Sequence, residues 1–341
     1  MQAIVVLFGG SSSERLVSCA SAQHFSEVLP EALCWFWQAD GAVVAVDSVE
    51  LQNHKNVFLQ TFSPKQVLSR WDSIDQCLDY AKGKGLVVLN SLHGGDGENG
   101  WIQRACESRQ LAYTASGAEA SALALDKPLA KQKVKARGVL VADQLVFSTL
   151  DQNSKADLIA FQAQHGRLVL KPACEGSSAG LSFVETKVEV ESWINAHQAN
   201  TATWLCEEML IGREFTIGVA MFRGCLMALP PSEVILERNA RFDYEGKYLG
   251  VGNREITPAD LSPKDTALVQ ETVLLAHTAL GCYGYTRSEV ILTKRGAVFL
   301  ETNTLPGLTK KSFIPQQLAA AKIEVRDFVA GQIELASRRY E

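Results

Sequence analysis

The chain has 341 residues, of which 47% are hydrophobic and 21% charged, and its formal net charge is −5. These values are typical of a globular enzyme with roughly two or three domains. They argue against a nucleic-acid binder, since no basic block stands out, and no apolar run approaches the ~20 residues of a membrane helix.

The first third of the chain predicts an α/β domain. A β-branched run at residues 4–8 ends at Gly9 and Gly10, and three serines then offer N-caps for a helix near Glu14. Further strands are predicted at residues 33–39, 42–46 and 86–90, and a second helix from Trp101, whereas residues 48–80 show no regular pattern. This alternation indicates a parallel sheet with a site at its C-terminal edge.

The pattern changes after residue 116 to helices mixed with antiparallel strands. Helices are predicted over residues 118–138, within 145–164, over 187–198 and 265–280, and at the C-terminus. Strands are predicted at residues 168–171, 203–206, 215–222 and 225–229, and a loop over 237–254.

Two features predict a cytoplasmic protein. Residues 1–10 lack the basic start and long apolar stretch of an export signal. The eight cysteines are scattered without a C-x-x-C pair, which favours reduced core thiols over disulfides or zinc.

The most informative polar residues lie near the C-terminus. We predict that one strand ends at Glu289, just after Arg287, and that a second strand over residues 297–300 delivers Glu301 and Asn303. Two carboxylates and an amide oxygen suit Mg²⁺ that carries a nucleotide triphosphate. The guanidinium suits a developing anion, so this group points to phosphoryl chemistry.

A second group suits phosphate. Lys171 ends a strand and precedes a glycine- and serine-rich segment, residues 175–180, whose N–H groups and hydroxyls could fold over phosphates. The segment lacks the G-K-[ST] of a P-loop, so a plain turn is the alternative. Lys127 is a further candidate cation, with a solvated helix lysine as the alternative.

Other candidates are weaker. Glu207 and Glu214 could accept from an adenine amine and from ribose hydroxyls, although two surface acids are the alternative. Residues 243–248 could close over a site, or form an ordinary aromatic turn. Gly9-Gly10 lacks the G-x-G-x-x-G spacing, which argues against a dehydrogenase.

Several motifs recur in a fixed order from about residue 4 to residue 316. They are Gly-Gly-x-Ser-x-Glu14-x-x-Val-Ser18, His93-Gly-x-x-Gly97-Glu98-x-Gly100-x-Ile-Gln103, Asp126-Lys127, Lys171-Pro-x-x-x-Gly-Ser-Ser178-x-Gly, Gly212-Arg-Glu214, Asp-Tyr-Glu-x-Lys247-Tyr248, Arg287-x-Glu289 and Glu301-x-Asn303-Thr-x-Pro-Gly307-x-Thr-x-x-Ser312. This set closely resembles the D-alanine–D-alanine ligase family of the ATP-grasp superfamily.

The resemblance implies a mixed α/β ATP-grasp fold in three domains: an N-terminal parallel-sheet α/β domain (1–115), a central subdomain (116–207) and a C-terminal subdomain with the metal site (208–341). It implies a ligase that uses ATP to join two D-alanines through an acylphosphate, releasing ADP and phosphate, for peptidoglycan precursor synthesis in the cytoplasm. It also implies two Mg²⁺ ions, with Mn²⁺ as a substitute, a homodimer, small amino-acid substrates, and neither nucleic acid nor membrane as partner.

The same resemblance implies roles for individual residues. For the nucleotide and metal, Lys127 and Lys171 would meet phosphates, Ser177 and Ser178 would lie in the loop above them, Glu207 would face adenine, Glu214 ribose, and Glu289, Glu301 and Asn303 would hold Mg²⁺. For the amino acids, Glu14 would bind the ammonium group of the first one, and His93 and Lys247 would contact substrate. Glu14, Ser177 and Tyr248 would form a hydrogen-bonded trio that closes over the substrates. Arg287 and the Gly307 amide would face the oxyanion, and Ser312 would bind the carboxylate of the second amino acid.

Some positions depart from the family pattern. Glu289 stands where aspartate is usual, Lys310-Lys311 adds charge near the second substrate, and Leu16 and Arg241-Phe242 also differ. Two alternatives therefore stay open. One is a related dipeptide ligase with a different second substrate, either D-alanyl with another residue or a specialised biosynthetic product. The other is a non-catalytic nucleotide-binding paralogue with Glu289 as its defect.

Overall fold

A computed structural model describes residues 3–151, 153–176, 180–198, 200–236 and 253–341. Within these ranges the strands form a five-stranded, a four-stranded and a seven-stranded sheet. The predicted loop over residues 237–254 lies almost entirely outside the described residues.

The five-stranded sheet and its helices come from the first third of the chain. The strands are β1 (Ile4–Gly9), β2 (Leu33–Trp37), β3 (Val43–Val46), β4 (Val67–Trp71) and β5 (Val87–Asn90), in the order β4-β3-β2-β1-β5. The helices are α1 (Arg15–Val28), α2 (Ser48–Gln52), α3 (Ile74–Gly83) and α4 (Trp101–Glu107), with a 3₁₀ turn at Gly95–Gly97.

The predicted parallel sheet is only partly correct. Strand β1 runs parallel to β2 and β5, but β3 is antiparallel to β2, and β4 to β3. For β3 the reason is its short connection from β2, because parallel neighbours need a crossover of a dozen residues or more. Residues 48–80, for which the sequence shows no regular pattern, contain α2, β4 and most of α3. Strand β4 is an exposed edge strand, so its sequence carries no alternation.

The middle of the chain forms two helices and a separate sheet. The predicted helix over residues 118–138 is two helices, α5 (Ala118–Leu125) and α6 (Lys127–Lys135), because Asp126 leaves the helical conformation and caps α6 through Leu129 N. A short strand follows, β6 (Leu140–Val141). The four-stranded sheet then contains β7 (Gln144–Ser148), β8 (Leu168–Pro172), β9 (Ser182–Val184) and β10 (Thr203–Glu208), in the order β7-β10-β8-β9, with helices α7 (Ser154–His165) and α8 (Lys187–His197).

The seven-stranded sheet completes the fold. Its strands are β6, β11 (Arg213–Phe222), β12 (Cys225–Ala228), β13 (Ser232–Leu236), β14 (Asn253–Ile256), β15 (Tyr285–Thr293) and β16 (Gly296–Asn303), in the order β14-β13-β11-β15-β16-β6 with β12 beside β11. The helices are α9 (Pro263–Ala279), α10 (Phe313–Ala320) and α11 (Val325–Ser337). Throughout the described ranges, no helix has both the length and the apolar character to cross a bilayer.

One face of this sheet is apolar and packs against α9, whereas the other carries polar residues and also contacts α10. Phe215, Ile217 and Val290 point to one side and pack with Val269 and Val273 of α9. Because side chains alternate along a strand, the residues between them project from the opposite face. That opposite face of β11, β15 and β16 carries the candidate site.

Gln317 fastens α10 to β11. Its fully buried amide accepts from Gly218 N (2.8 Å) and donates to Thr216 O (2.8 Å) and Ser232 Oγ (3.0 Å). It therefore connects α10 to the backbone of β11 and to the start of β13.

We predict that Gln317→Leu lowers the free energy of unfolding by about 2–4 kcal/mol, because it leaves a buried N–H and a buried C=O without partners. Urea denaturation followed by circular dichroism measures this. Gln198→Leu, on an exposed helix end where the amide contacts Asn195, is the control and should change little. Equal effects of the two substitutions would contradict the prediction.

Candidate active site

The register of β15 and β16 determines the centre of the site. Glu289 lies directly opposite Glu301, and Arg287 directly opposite Asn303. Directly paired residues share a face, so all four side chains project from the same face of the sheet. The predicted end of the first strand at Glu289 is wrong, since β15 continues to Thr293 and its apolar residues pack against α9. The neighbouring placement of the four side chains is nevertheless what the sequence predicted.

These side chains form a mixed-charge group. Arg287 Nη2 donates to Glu289 Oε1 (3.0 Å), and Lys127 Nζ lies 3.8 Å from Glu301 Oε2. Asn303 Oδ1 accepts from Leu305 N (2.7 Å). The described residues contain no cluster of three or more His, Cys, Asp or Glu side chains able to hold a metal ion. The candidate ligand set is thus two carboxylates and one amide.

A cleft opens beside this group. Its free space, including the part open to solvent, is about 930 Å³. Seven predicted site residues line it: Glu14, Lys127, Arg287, Glu301, Asn303, Gly307 and Ser312. The other polar lining residues include Glu98, Ser121, Glu255, Thr302, Thr304 and Lys311.

The first third of the chain supplies one wall of the cleft, through Glu14 and Glu98. Glu14 is the residue at the start of α1, and it approaches Gly94 so closely that a Cβ there would lie 2.6 Å from Glu14 Oε2. Gly94 also has a φ of +62°, which favours glycine. The positive φ thus favours glycine at position 94, and a side chain there would also displace the Glu14 carboxylate; this explains the glycine of the His93-Gly motif.

His93 and Glu98 form a pair beside this wall, in which His93 is buried and Glu98 also lines the cleft. His93 Nδ1 lies 3.8 Å from Glu98 Oε1, and His93 Nε2 lies 3.1 Å from Ser21 Oγ of α1. Burial lowers the pKa of His93 to about 4, although Glu14 opposes this. Burial also raises the pKa of Glu98 to about 7, and Glu14 adds to this. Near neutral pH His93 is therefore uncharged.

The segment after β16 forms another wall. A Cβ at Gly307 would lie 2.9 Å from Ser312 Oγ and 3.7 Å from His93 Cε1, so these three predicted residues lie together. Ser312 Oγ also accepts from Thr309 N (3.1 Å). We call residues 305–312 the acceptor loop.

The predicted nucleotide residues of the four-stranded sheet form a buried ionic cluster. Lys171 Nζ lies 2.7 Å from Glu207 Oε2, and Lys131 Nζ of α6 binds the other oxygen, Glu207 Oε1. Burial would raise the pKa of Glu207, but the two ammonium groups outweigh it and hold that pKa well below its ordinary value. Burial lowers the pKa of Lys131 to about 8, although Glu207 opposes this. One carboxylate with two cations leaves the cluster net positive at neutral pH.

Lys127 links the ionic cluster around Glu207 to the group formed by Arg287, Glu289, Glu301 and Asn303, which we call the metal group. Its Nζ donates to the backbone carbonyl of Glu175, at the start of the glycine- and serine-rich segment, and also faces Glu301. Lys127 and Lys131 are four residues apart on α6 and so share one helix face. Helix α6 thus places Lys127 beside the metal group and Lys131 beside Glu207.

The remaining predicted residues are placed as follows. Glu214 lies on β11 opposite Ile291 and two residues from Thr216, which faces Glu289, so it shares the sheet face of the metal group. It lies outside the residues that line the cleft. Ser177, Ser178, Lys247 and Tyr248 lie outside the described residues.

Three polar residues near the site were not predicted to have a role. Lys131 could have been found from its spacing to Lys127. Glu98 stands within the histidine motif, but its burial gives no sequence signal. Glu255 reaches the cleft from β14, and its carboxylate accepts from Gln316 Nε2 (2.9 Å). Burial raises the pKa of Glu255, while Gln316 and Arg287 lower it. No motif marks this position.

We predict that Lys131→Met lowers the free energy of unfolding by about 3 kcal/mol, since it leaves the buried Glu207 with one cation. Adding Glu207→Gln to that variant should cost much less than Glu207→Gln costs in the wild type, because the two side chains act as a pair. Urea denaturation of the four proteins measures this coupling. Additive losses would contradict it.

Comparison with known proteins agrees with this geometry. Residues 3–116 match the model of the D-ala D-ala ligase N-terminus, and residues 134–334 that of the D-ala D-ala ligase C-terminus. The chain is 32% identical to a D-alanine–D-alanine ligase of Halalkalibacterium halodurans over 98% of this chain and 99% of that protein.

Two solved structures share its fold. The D-alanine–D-alanine ligase of Coxiella burnetii has a TM-score of 0.79 and 24% identity, covering 99% of this chain and 94% of that one. The ligase of Bacillus anthracis complexed with ATP has a TM-score of 0.73 and 23% identity, covering 99% and 97%. These ligase structures support the predicted mixed α/β ATP-grasp fold. Together with the two family models and the 32% identity, they show that the chain belongs to the D-alanine–D-alanine ligase family.

Proposed function

We propose that this chain uses ATP to join two D-alanines into D-alanyl-D-alanine for peptidoglycan precursor synthesis, with release of ADP and phosphate. The observation that carries the proposal is the single cleft that joins Glu14, Lys127, Arg287 and Glu301 to the acceptor loop. Substrates bound in this cleft could therefore contact the cationic side chains, the oxygen ligands for a metal ion and the acceptor loop together.

The chemistry requires two steps. A carboxylate is a poor acyl donor, so one carboxylate oxygen of the first D-alanine attacks the γ-phosphorus of ATP, ADP leaves, and an acylphosphate forms. The neutral amine of the second D-alanine then attacks the acyl carbon, and phosphate leaves from the tetrahedral intermediate. The first step needs mainly positioning and charge neutralisation, and the second needs fixed donors for an oxyanion.

Cationic side chains suit the phosphoryl step. Lys127 and Lys171 would meet the phosphates, and the net positive cluster at Glu207 supports this assignment. Arg287 and the Gly307 N–H would face the oxyanion, since both lie at the cleft beside the metal group. The phosphate anion and the oxyanion are thus assigned to separate donors.

The oxygen donors Glu289, Glu301 and Asn303 fit Mg²⁺, because hard oxygen ligands on one face are what this ion prefers. We propose two Mg²⁺ ions there, with Mn²⁺ as a substitute, which when bound would neutralise phosphate charge. Glutamate in place of the usual aspartate at 289 is compatible, since its carboxylate lies on the same face and is fixed by Arg287.

The remaining roles rest on the family resemblance together with position. Glu14 would bind the first ammonium, with His93 beside the first substrate, and Ser312 would bind the second carboxylate. Glu207 and Glu214 would face adenine and ribose. Four roles rest on resemblance alone: Ser177 and Tyr248 in a closing trio with Glu14, Ser178 at the phosphates, and Lys247 at the substrate.

Organisation and location are also proposals. We propose domains at residues 1–115, 116–207 and 208–341, a homodimer and a cytoplasmic location. The separate four-stranded sheet supports a central domain. In the segment 116–143, α6 and β6 pack with the C-terminal sheet through Val134 and Phe299, so this segment is the boundary to test.

A different second substrate is the alternative that a specific observation favours. Lys311 and Glu255 line the cleft near Ser312 and bring a charge of each sign. Lys310, by contrast, pairs with Glu27 of α1 (2.6 Å). A polar second amino acid could therefore find partners that D-alanine does not use.

We predict that the purified chain with ATP, Mg²⁺ and D-alanine releases one phosphate per D-alanyl-D-alanine, as measured by phosphate release and product mass. Reactions that also contain D-serine or D-lactate distinguish the alternative ligase, which would yield mostly mixed product. ATP binding without product from any pair would favour a non-catalytic paralogue and overturn the proposal.

We predict that Lys171→Ala lowers kcat by more than about 100-fold, the effect of losing one preorganised charged donor, while its circular dichroism spectrum and quaternary state stay unchanged. Lys187→Ala, an exposed lysine of α8, is the matched control and should keep full activity. Turnover unchanged by Lys171→Ala would remove Lys171 from the site.

A further inference from the structure

The acceptor loop has little regular structure of its own. It connects β16 to α10. The described hydrogen bonds within it join Thr309 to Ser312: Thr309 N to Ser312 Oγ (3.1 Å), Thr309 Oγ1 to Ser312 Oγ (2.8 Å) and Ser312 N to Thr309 O (2.9 Å). Just before them, Leu305 N donates to Asn303 Oδ1 (2.7 Å). Leu305 and Leu308 are buried in the core shared with the N-terminal sheet. The position of this loop in the cleft therefore depends on contacts from outside it.

Helix α1 supplies two such contacts. His24 Nδ1 lies 2.6 Å from the backbone oxygen of Leu308, and Glu27 Oε2 lies 2.6 Å from Lys310 Nζ. A carbonyl oxygen can only accept, so His24 Nδ1 carries the proton and donates. His24 and Glu27 are three residues apart and share one helix face. Both contacts fall between Gly307 and Ser312, two of the loop residues that line the cleft.

The same face of α1 also holds His93. Ser21, three residues before His24, lies 3.1 Å from His93 Nε2. One face of α1 thus contacts both His93, which is assigned to the first amino acid, and the acceptor loop, which is assigned to the second. A rigid helix that touches both walls fixes the distance between them.

We propose that His24 and Glu27 are positioning residues, which together clasp the acceptor loop and set the affinity for the second amino acid. The proposal rests on the proposed function, because it needs a second substrate at Gly307 and Ser312. The two contacts differ in weight. His24 is half-buried, whereas the side chains of Lys310 and Glu27 are 66% and 39% exposed, and exposed ion pairs contribute little. His24 therefore carries most of the effect.

The test separates the two D-alanine KM values from the KM for ATP in steady-state kinetics of His24→Ala. We expect the KM for the second D-alanine to rise about three- to tenfold, the equivalent of one net hydrogen bond. The KM values for ATP and for the first D-alanine should stay within about twofold of the wild type, because the described hydrogen bond of His24 is to Leu308 O, in the loop assigned to the second amino acid. Glu27→Gln should have a smaller effect in the same direction.

Two controls distinguish positioning from general destabilisation. His24→Gln keeps an N–H donor of similar reach and should restore the KM. Glu31→Gln removes a comparable exposed pair, Arg326 to Glu31 (3.3 Å), which joins the N-terminal domain to α11 away from the loop; it should leave every KM unchanged. Hydrogen–deuterium exchange gives a readout apart from activity: amides of residues 305–312 should exchange faster in His24→Ala than in the wild type.

The outcomes separate the two proposals. An unchanged second KM with unchanged exchange at 305–312, or an equal rise of all three KM values, overturns the clasp and leaves the ligase proposal intact. A wild type that makes no dipeptide overturns the ligase proposal and, with it, the role of the clasp in substrate affinity.

Discussion

The site depends first on the pairing of β15 with β16. This antiparallel pair turns at two residues, Lys294 and Arg295, and its register sets Glu289 opposite Glu301. A slip by one residue would turn every carboxylate of one strand towards α9. The apolar contacts of Val290 with α9 therefore protect the polar face as well as the core.

The second constraint is that the buried carboxylate of Glu207 must be paired with cations. Burial of Glu207 without partners would disfavour its ionised form, yet its pKa is held low by Lys131 and Lys171. Because Lys131 engages one oxygen, Lys171 is bound only to the other. An arriving polyphosphate can then compete for Lys171 without leaving Glu207 unpaired. Lys131, which belongs to no motif, thus allows Lys171 to exchange Glu207 for a phosphate group.

The sequence predicted the parts of the fold and site that are local in the chain. The hairpin that carries Arg287, Glu289, Glu301 and Asn303 is short-range, so its residues could be brought together from spacing alone. Glu98 and Glu255 were missed because their relevance comes from burial and from contacts far apart in the chain, whereas Lys131 could have been found from its spacing to Lys127. The antiparallel β3 could have been predicted from the short β2–β3 connection, whereas β4 could not, since an exposed edge strand has no hydrophobic alternation.

The three sheets are not joined in the same way, and this bears on how a nucleotide could enter. The N-terminal and C-terminal sheets share one apolar core, which contains residues of β1 and β5 together with Leu305 and Phe328, while the central sheet has a core of its own. Its described links to the other parts include the polar pairs Lys131–Glu207 and Arg295–Glu208 (2.6 Å). Polar pairs can exchange for contacts with a charged ligand, but a shared apolar core cannot open without exposing surface to water. We therefore expect the central sheet to be the part that moves on nucleotide binding, while α1 and the acceptor loop keep their distance.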